Sequence, residues 1–122
     1  MNDKIIEQEI QAKGLTAPRV TPDAIEAEIV SEAFFTAKEG VWGAHPGFEP
    51  MPETAPALAL LTFCVLVLRN GFTVTGESAC ASPENFDPEI GRKIARQNAV
   101  QKIWPLLGFR LRDQLSNGRA DP

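Results

Sequence analysis

The sequence predicts an α+β fold: an N-terminal helix, an antiparallel sheet built on a central β-hairpin, and two C-terminal helices packed on that sheet. Three observations carry this expectation. Asn70-Gly71 separates two β-rich runs between Leu60 and Ser78, the strongest short-range hairpin signal. Thr21-Pro22-Asp23 and Asp87-Pro88 each set a capping side chain before a proline, the pattern that opens a helix. The 122 residues contain no repeat, low-complexity tract or linker, so 1–122 fits a single domain.

Taken in order, Met1 to Gly14 holds helix formers with Ile5, Ile6 and Ile10 spaced for a weak amphipathic turn. A frayed terminus fits equally, so 1–20 is treated as a flexible segment. Pro22 then suits a first helical position, where its missing N–H has no partner anyway. Ile25, Ile29 and Val30 give one apolar face, and the helix is expected to fade near Ser31. Glu26 and Glu28 are expected to favour the positive end of its dipole. Phe34, Phe35 and Thr36 favour extended backbone. From Lys38 to Pro56 the density of glycine and proline predicts a long loop, with Trp42, His45 and Phe48 placed to cover a pocket or a neighbouring subunit.

In the hairpin, a two-residue Asn70-Gly71 turn pairs Val67 with Val74 and Cys64 with Glu77. The first strand is apolar on both sides, which predicts a central strand covered by a helix on one face and by a second subunit on the other. The Asp87-Pro88 helix is expected to run from Glu89 to about Trp104, where Pro105 ends or kinks it. Ile90, Ile94, Val100, Ile103 and Trp104 spread round the cylinder and predict burial on more than one side, with Gly91 and Ala95 allowing close approach of another backbone. A last helix covers Leu106 to Leu115, stopped by Asn117-Gly118, and Arg119 to Pro122 is a tail.

Charge excludes some functions. A net charge of −4 argues against general binding to DNA or RNA, which needs a basic surface. It leaves room for a small anion, because two arginines can make a local positive site on an acidic protein. Cys64 and Cys80 form no zinc spacing and no disulfide framework, and no catalytic, metal or cofactor set stands out. The first eleven residues lack the apolar run of a signal peptide, and Ala55 to Leu68 is too short to span a bilayer. These features predict a soluble cytoplasmic protein.

The candidate binding residues lie on and around the Asp87-Pro88 helix. Arg92 and Arg96 project from one side, one turn apart, and guanidinium groups hold phosphate in a forked manner. A solvated pair, or partners for carboxylates, is the competing reading. Phe72 could stack on a base or belong to the core. His45 is the only histidine and has no triad partner at a recognisable spacing.

The run Cys64-Val65-Leu66-Val67-Leu68-Arg69-Asn70-Gly71-Phe72-Thr73-Val74-Thr75-Gly76-Glu77-Ser78-Ala79-Cys80 resembles the signature of a family of small phage and prophage proteins named after the N4 and Sf6 phages. Pro83-Glu84-Asn85-Phe86-Asp87, Ile90-Gly91-Arg92-Lys93-Ile94-Ala95-Arg96 and Lys102-Ile103-Trp104-Pro105-Leu106 extend the match. The pattern is also similar to the first described type of Thoeris anti-defence sponges. Those bind cyclic ADP-ribose isomers made by bacterial TIR enzymes without degrading them, and some members resemble binders of CBASS cyclic oligonucleotides. The resemblance implies a dimer or a trimer of dimers in the cytoplasm of the bacterial host. It implies that Arg92 and Arg96 hold phosphates, that Phe72 stacks on a base, and that Asn85 touches base or ribose. The chain departs from the family in its proline-rich 38–56 segment, in Leu107 where an acidic residue is common, and in Phe109 where tyrosine is common. The expected function is a non-enzymatic sponge for a cyclic nucleotide. The alternative is a phage accessory module that binds a protein partner through the Trp42–Phe48 loop.

Overall fold

The β-branched and aromatic runs do become strands, and a third joins them. In the computed structural model, which describes residues 3–47 and 49–120, two helices precede the sheet: α1 (Asp3–Ala12) and α2 (Pro22–Glu28). Strand β1 (Ile29–Thr36) leads into α3 (Ala37–Gly43), and a 3-10 turn (Pro56–Leu60) opens β2 (Leu61–Leu68). Strand β3 (Thr73–Ala79), a short 3-10 turn (Pro83–Asn85), α4 (Pro88–Gln101) and α5 (Ile103–Ala120) complete the chain. The sheet is antiparallel in the order β1-β2-β3, so the apolar strand is central, as its sequence requires.

The hairpin differs from expectation by one residue. Leu68 N–H donates to Phe72 O at 2.8 Å, and Gly71 N–H donates to Leu68 O at 2.8 Å, so Arg69, Asn70 and Gly71 form the loop. Gly71 has φ +90°, while no described non-glycine residue has positive φ. A type I′ turn would need positive φ at Asn70 too; the three-residue turn needs it only at its last position. Leu66 therefore pairs with Val74 and Cys64 with Gly76. Because strand side chains alternate, this shift carries every β3 residue to the opposite face from that expected. Val74 gains a place in the core beside Leu66, and Thr73 and Thr75 turn to solvent.

Helix α4 lies across β2 and β3. It buries Gly91, Ala95 and Ala99, a stripe at i, i+4 and i+8. A Cβ at Gly76 would stand 2.2 Å from Ala95 O and 2.3 Å from Ala99 N, so the helix backbone rests directly on β3 there. Burial is one-sided, not all round: Ile90 is 55% and Ile94 42% exposed on the flank away from β1. The core is closed by Ile25, Cys64, Leu66, Leu68, Val74, Ile103 and Leu107. The opposite sheet face carries Leu61, Phe63, Val65 and Val67 along β2, all only partly buried.

Other boundaries also moved. Helix α2 stops at Glu28, because Ile29 and the residues after it pair with β2. The segment read as a loop from Lys38 begins with α3, since Thr36 and Glu39 form a capping box that offsets the glycines. The break between the last two helices falls at Lys102, whose N–H donates to Ala99 O and Val100 O. Pro105 stands in the first turn of α5, where it displaces no helical hydrogen bond. Helix α5 continues through Asn117-Gly118 to Ala120, so Arg119 and Ala120 of the expected tail are helical. Residues 121–122 of that tail lie outside the described residues, as does Phe48.

Candidate functional site

Asp87 starts the helix that carries the site. Its Oδ1 accepts from the N–H groups of Glu89 at 2.8 Å and Ile90 at 3.3 Å, and Pro88 fills the first position. With Gly91, Ala95 and Ala99 seated on the sheet, Arg92 and Arg96 share the flank turned towards β1. Their surroundings then diverge.

Arg96 is engaged. Its Nε donates to Glu32 Oε2 at 3.0 Å, and its Nη1 and Nη2 donate to the two carboxylate oxygens of Glu26 at 3.1 and 2.9 Å. The hydrogen bonds from Arg96 hold the Glu26 carboxyl below the usual carboxylate range, and those carboxylates raise the guanidinium's own pKa. Glu28, buried at the end of α2, accepts from Arg110 Nη2 at 2.7 Å, and that bond lowers its pKa likewise. Both glutamates thus serve ion pairs to the C-terminal helices rather than the α2 dipole. Pairs of this kind staple α2 and β1 to α4 and α5.

Arg92 has no carboxylate partner among the described residues. It borders a cavity of about 410 Å³ walled by Phe34, Phe35, Trp42 and Phe86. Lys38 supplies a second cation there; Glu39 also lines the cavity, but its carboxylate accepts from Thr36 N–H at 2.8 Å in the capping box. Trp42 is oriented by donating from Nε1 to Pro52 O at 3.1 Å, and Lys38 Nζ stands 4.5 Å from the centre of its ring. Thr62, at 3% exposure, keeps a buried Oγ1 in the cavity wall with no hydrogen-bond partner among the described residues. Aromatic walls with two cations can hold an anion that carries a planar ring.

A second cavity, about 420 Å³, lies among α1, α2, α4 and α5. Three carboxylates (Asp3, Asp23, Glu26) face three cations (Lys4, Lys93, Arg96) there, which leaves no net attraction for an anion.

The other expected site residues fall elsewhere. Phe72 is 55% exposed at the hairpin end and borders neither cavity. Asn85 is exposed in its 3-10 turn, donating its backbone N–H to Ser82 O at 3.0 Å; the residue after it, Phe86, reaches the cavity. Cys64 is buried, which pushes its thiol pKa up, and the Cys80 thiol donates to Ser82 O at 3.2 Å. His45 Nε2 is buried without a partner among the described residues. Trp42 was placed from sequence as a cover for a pocket, though on a loop; Lys38, Phe86 and Thr62 were missed. Thr36-x-x-Glu39 was the available signal: a capping box marks a helix start, and a helix makes Lys38 and Trp42 neighbours at i and i+4.

A family model described as "Phage protein (N4 Gp49/phage Sf6 gene 66) family" matches residues 20–115, which span β1 to β3, α4 and most of α5. No curated protein and no solved structure matches the chain.

Proposed function

The chain belongs to the phage protein family of N4 Gp49 and phage Sf6 gene 66, and on that premise we propose that it is an anti-defence sponge. It binds a cyclic nucleotide immune signal, a cyclic ADP-ribose isomer or a cyclic oligonucleotide, and holds it without degrading it. The observation that supports this reading is Arg92, without a carboxylate partner among the described residues, beside a cavity with aromatic walls and a second cation. Arg92 is the primary phosphate contact. Arg96 acts in support, because a phosphate there would compete with two carboxylates that already hold its guanidinium. Asn85 and Phe72 border neither cavity and are given no contact with the ligand.

The sponge acts as a homo-oligomer in the cytoplasm of the bacterial host. The partly buried row Leu61, Phe63, Val65 and Val67 supports subunit packing through the open sheet face. No described helix is long and apolar enough to cross a membrane. Calorimetry with cyclic ADP-ribose isomers and cyclic trinucleotides tests the proposal: one class binds at micromolar concentration or tighter, and the ligand is recovered intact after heating the complex. Absence of binding by every probe would overturn it, and recovery of a cleaved ligand would make the protein an enzyme.

A further inference from the structure

The pairing of Lys38 with Trp42 has the form of a binding device. Both side chains rise from α3, fixed at its start by the capping box of Thr36 and Glu39. The Lys38 ammonium stands over the Trp42 ring at 4.5 Å, and the ring is pinned from its other end by the hydrogen bond to Pro52 O. Arg92 enters the same cavity from α4, on a separate element. One cation therefore has no carboxylate partner among the described residues, and the other rests on an aromatic face.

We infer that Lys38 and Trp42 form an exchangeable pair, in which a phosphate draws Lys38 off the ring and the freed face of Trp42 stacks on the ligand's base. The inference rests on the cavity being the ligand site proposed above, and it assigns the stacking ring to Trp42, not Phe72. The physics favours exchange because a cation–π contact at a partly exposed site is weak, whereas phosphate offers a lysine a full opposite charge. A nucleobase offers tryptophan a larger planar partner than an ammonium does. The device selects ligands that join a phosphate to a planar unsaturated ring. Inorganic phosphate lacks the ring that would take the vacated face, and adenosine lacks the charge that would vacate it.

Calorimetry on the full chain separates this inference from the sponge reading. Cyclic ADP-ribose and a cyclic trinucleotide are titrated first to find a probe that binds. For that probe, Trp42→Leu weakens binding by about tenfold or more, and Phe72→Leu by less than about threefold. Lys38→Ala weakens the same probe but strengthens adenosine, because the ring face is then already vacant. Circular dichroism of each variant, matched to the unaltered chain, confirms that loss of binding is not loss of fold. Binding by the unaltered chain with no loss in Trp42→Leu, or with the loss in Phe72→Leu instead, overturns the inference and leaves the sponge reading standing. If Lys38→Ala binds adenosine no better than the unaltered chain does, the exchange is wrong. If the unaltered chain binds no cyclic ADP-ribose isomer and no cyclic trinucleotide, both fall together.

Discussion

Arg92 and Arg96 are the same residue type on one flank of one helix, a single turn apart, yet their environments differ in kind. Arg96 meets Glu26 and Glu32, which lie 70 and 64 positions away in the chain. Arg92 borders a cavity with aromatic walls and a second cation. What separates them is the end of β1 they face. Next to Arg96, α2 turns into β1 and brings two carboxylates; next to Arg92, β1 ends and α3 folds back with Lys38 and Trp42. Helical spacing places two side chains on one side, but only tertiary partners decide whether a guanidinium is a staple or a free site.

The comparison can be broken by removing the seat both arginines share. Gly76→Ala would drive a Cβ into the backbone of α4, 2.2 Å from Ala95 O, where no side chain can yield. The expected loss is about 3 kcal/mol or more in urea unfolding, with both arginines displaced.

Smaller changes sharpen it. Arg92→Ala should weaken ligand binding by about 1.5–3 kcal/mol, roughly ten- to a hundredfold, since a charge-assisted contact is lost. Its unfolding free energy should move by less than about 0.5 kcal/mol, because no partner is left behind. Arg96→Ala should do the reverse and lower stability by about 1 kcal/mol. The figure is modest because the Glu26 and Glu32 side chains are 56% and 42% exposed, so water screens them once unpaired. Arg96→Lys should recover part of the loss, as an ammonium cannot make the forked contact to Glu26.

The smallest effect is a dependence on acid. Glu26 and Glu28 both have pKa values lowered in the fold from an ordinary 4.5. A depressed folded pKa means the stabilisation is fully present above about 4.5 and is lost as pH falls through the lowered folded values. Unfolding free energies from urea titrations between pH 7 and pH 3 should therefore fall, by about 1 kcal/mol in total. Arg96→Ala should flatten the part due to Glu26, while Arg92→Ala should leave the slope unchanged.

Much of the fold was legible because local chemistry and tertiary packing agree in it. Thr21-Pro22 and Asp87-Pro88 open helices where expected, and β2 is central because it is apolar on both sides. The register of β3 was not legible. Asn-Gly serves both two- and three-residue turns, and burial of Val74 against Leu66 with Gly76 beneath α4 selects the longer one. Helix α3 was hidden because Gly40 and Gly43 were counted as breakers, while the Thr36 cap and Glu39 restored what they cost. Of the residues that line the aromatic cavity, Arg92 was singled out from its spacing and Trp42 as an aromatic that could cover a pocket. Lys38 and Phe86 were not, since the segments that carry them meet α4 only in the folded chain. No sequence pattern could have given Arg96 its two carboxylates.

The most direct test is to titrate a bound cyclic nucleotide into Arg92→Ala and Arg96→Ala side by side, with urea unfolding of each. The account predicts that Arg92→Ala loses binding by at least about tenfold at unchanged stability, whereas Arg96→Ala loses stability and keeps affinity within about threefold. A variant pair in which Arg96→Ala abolishes binding and Arg92→Ala leaves it intact would contradict the assignment of the site.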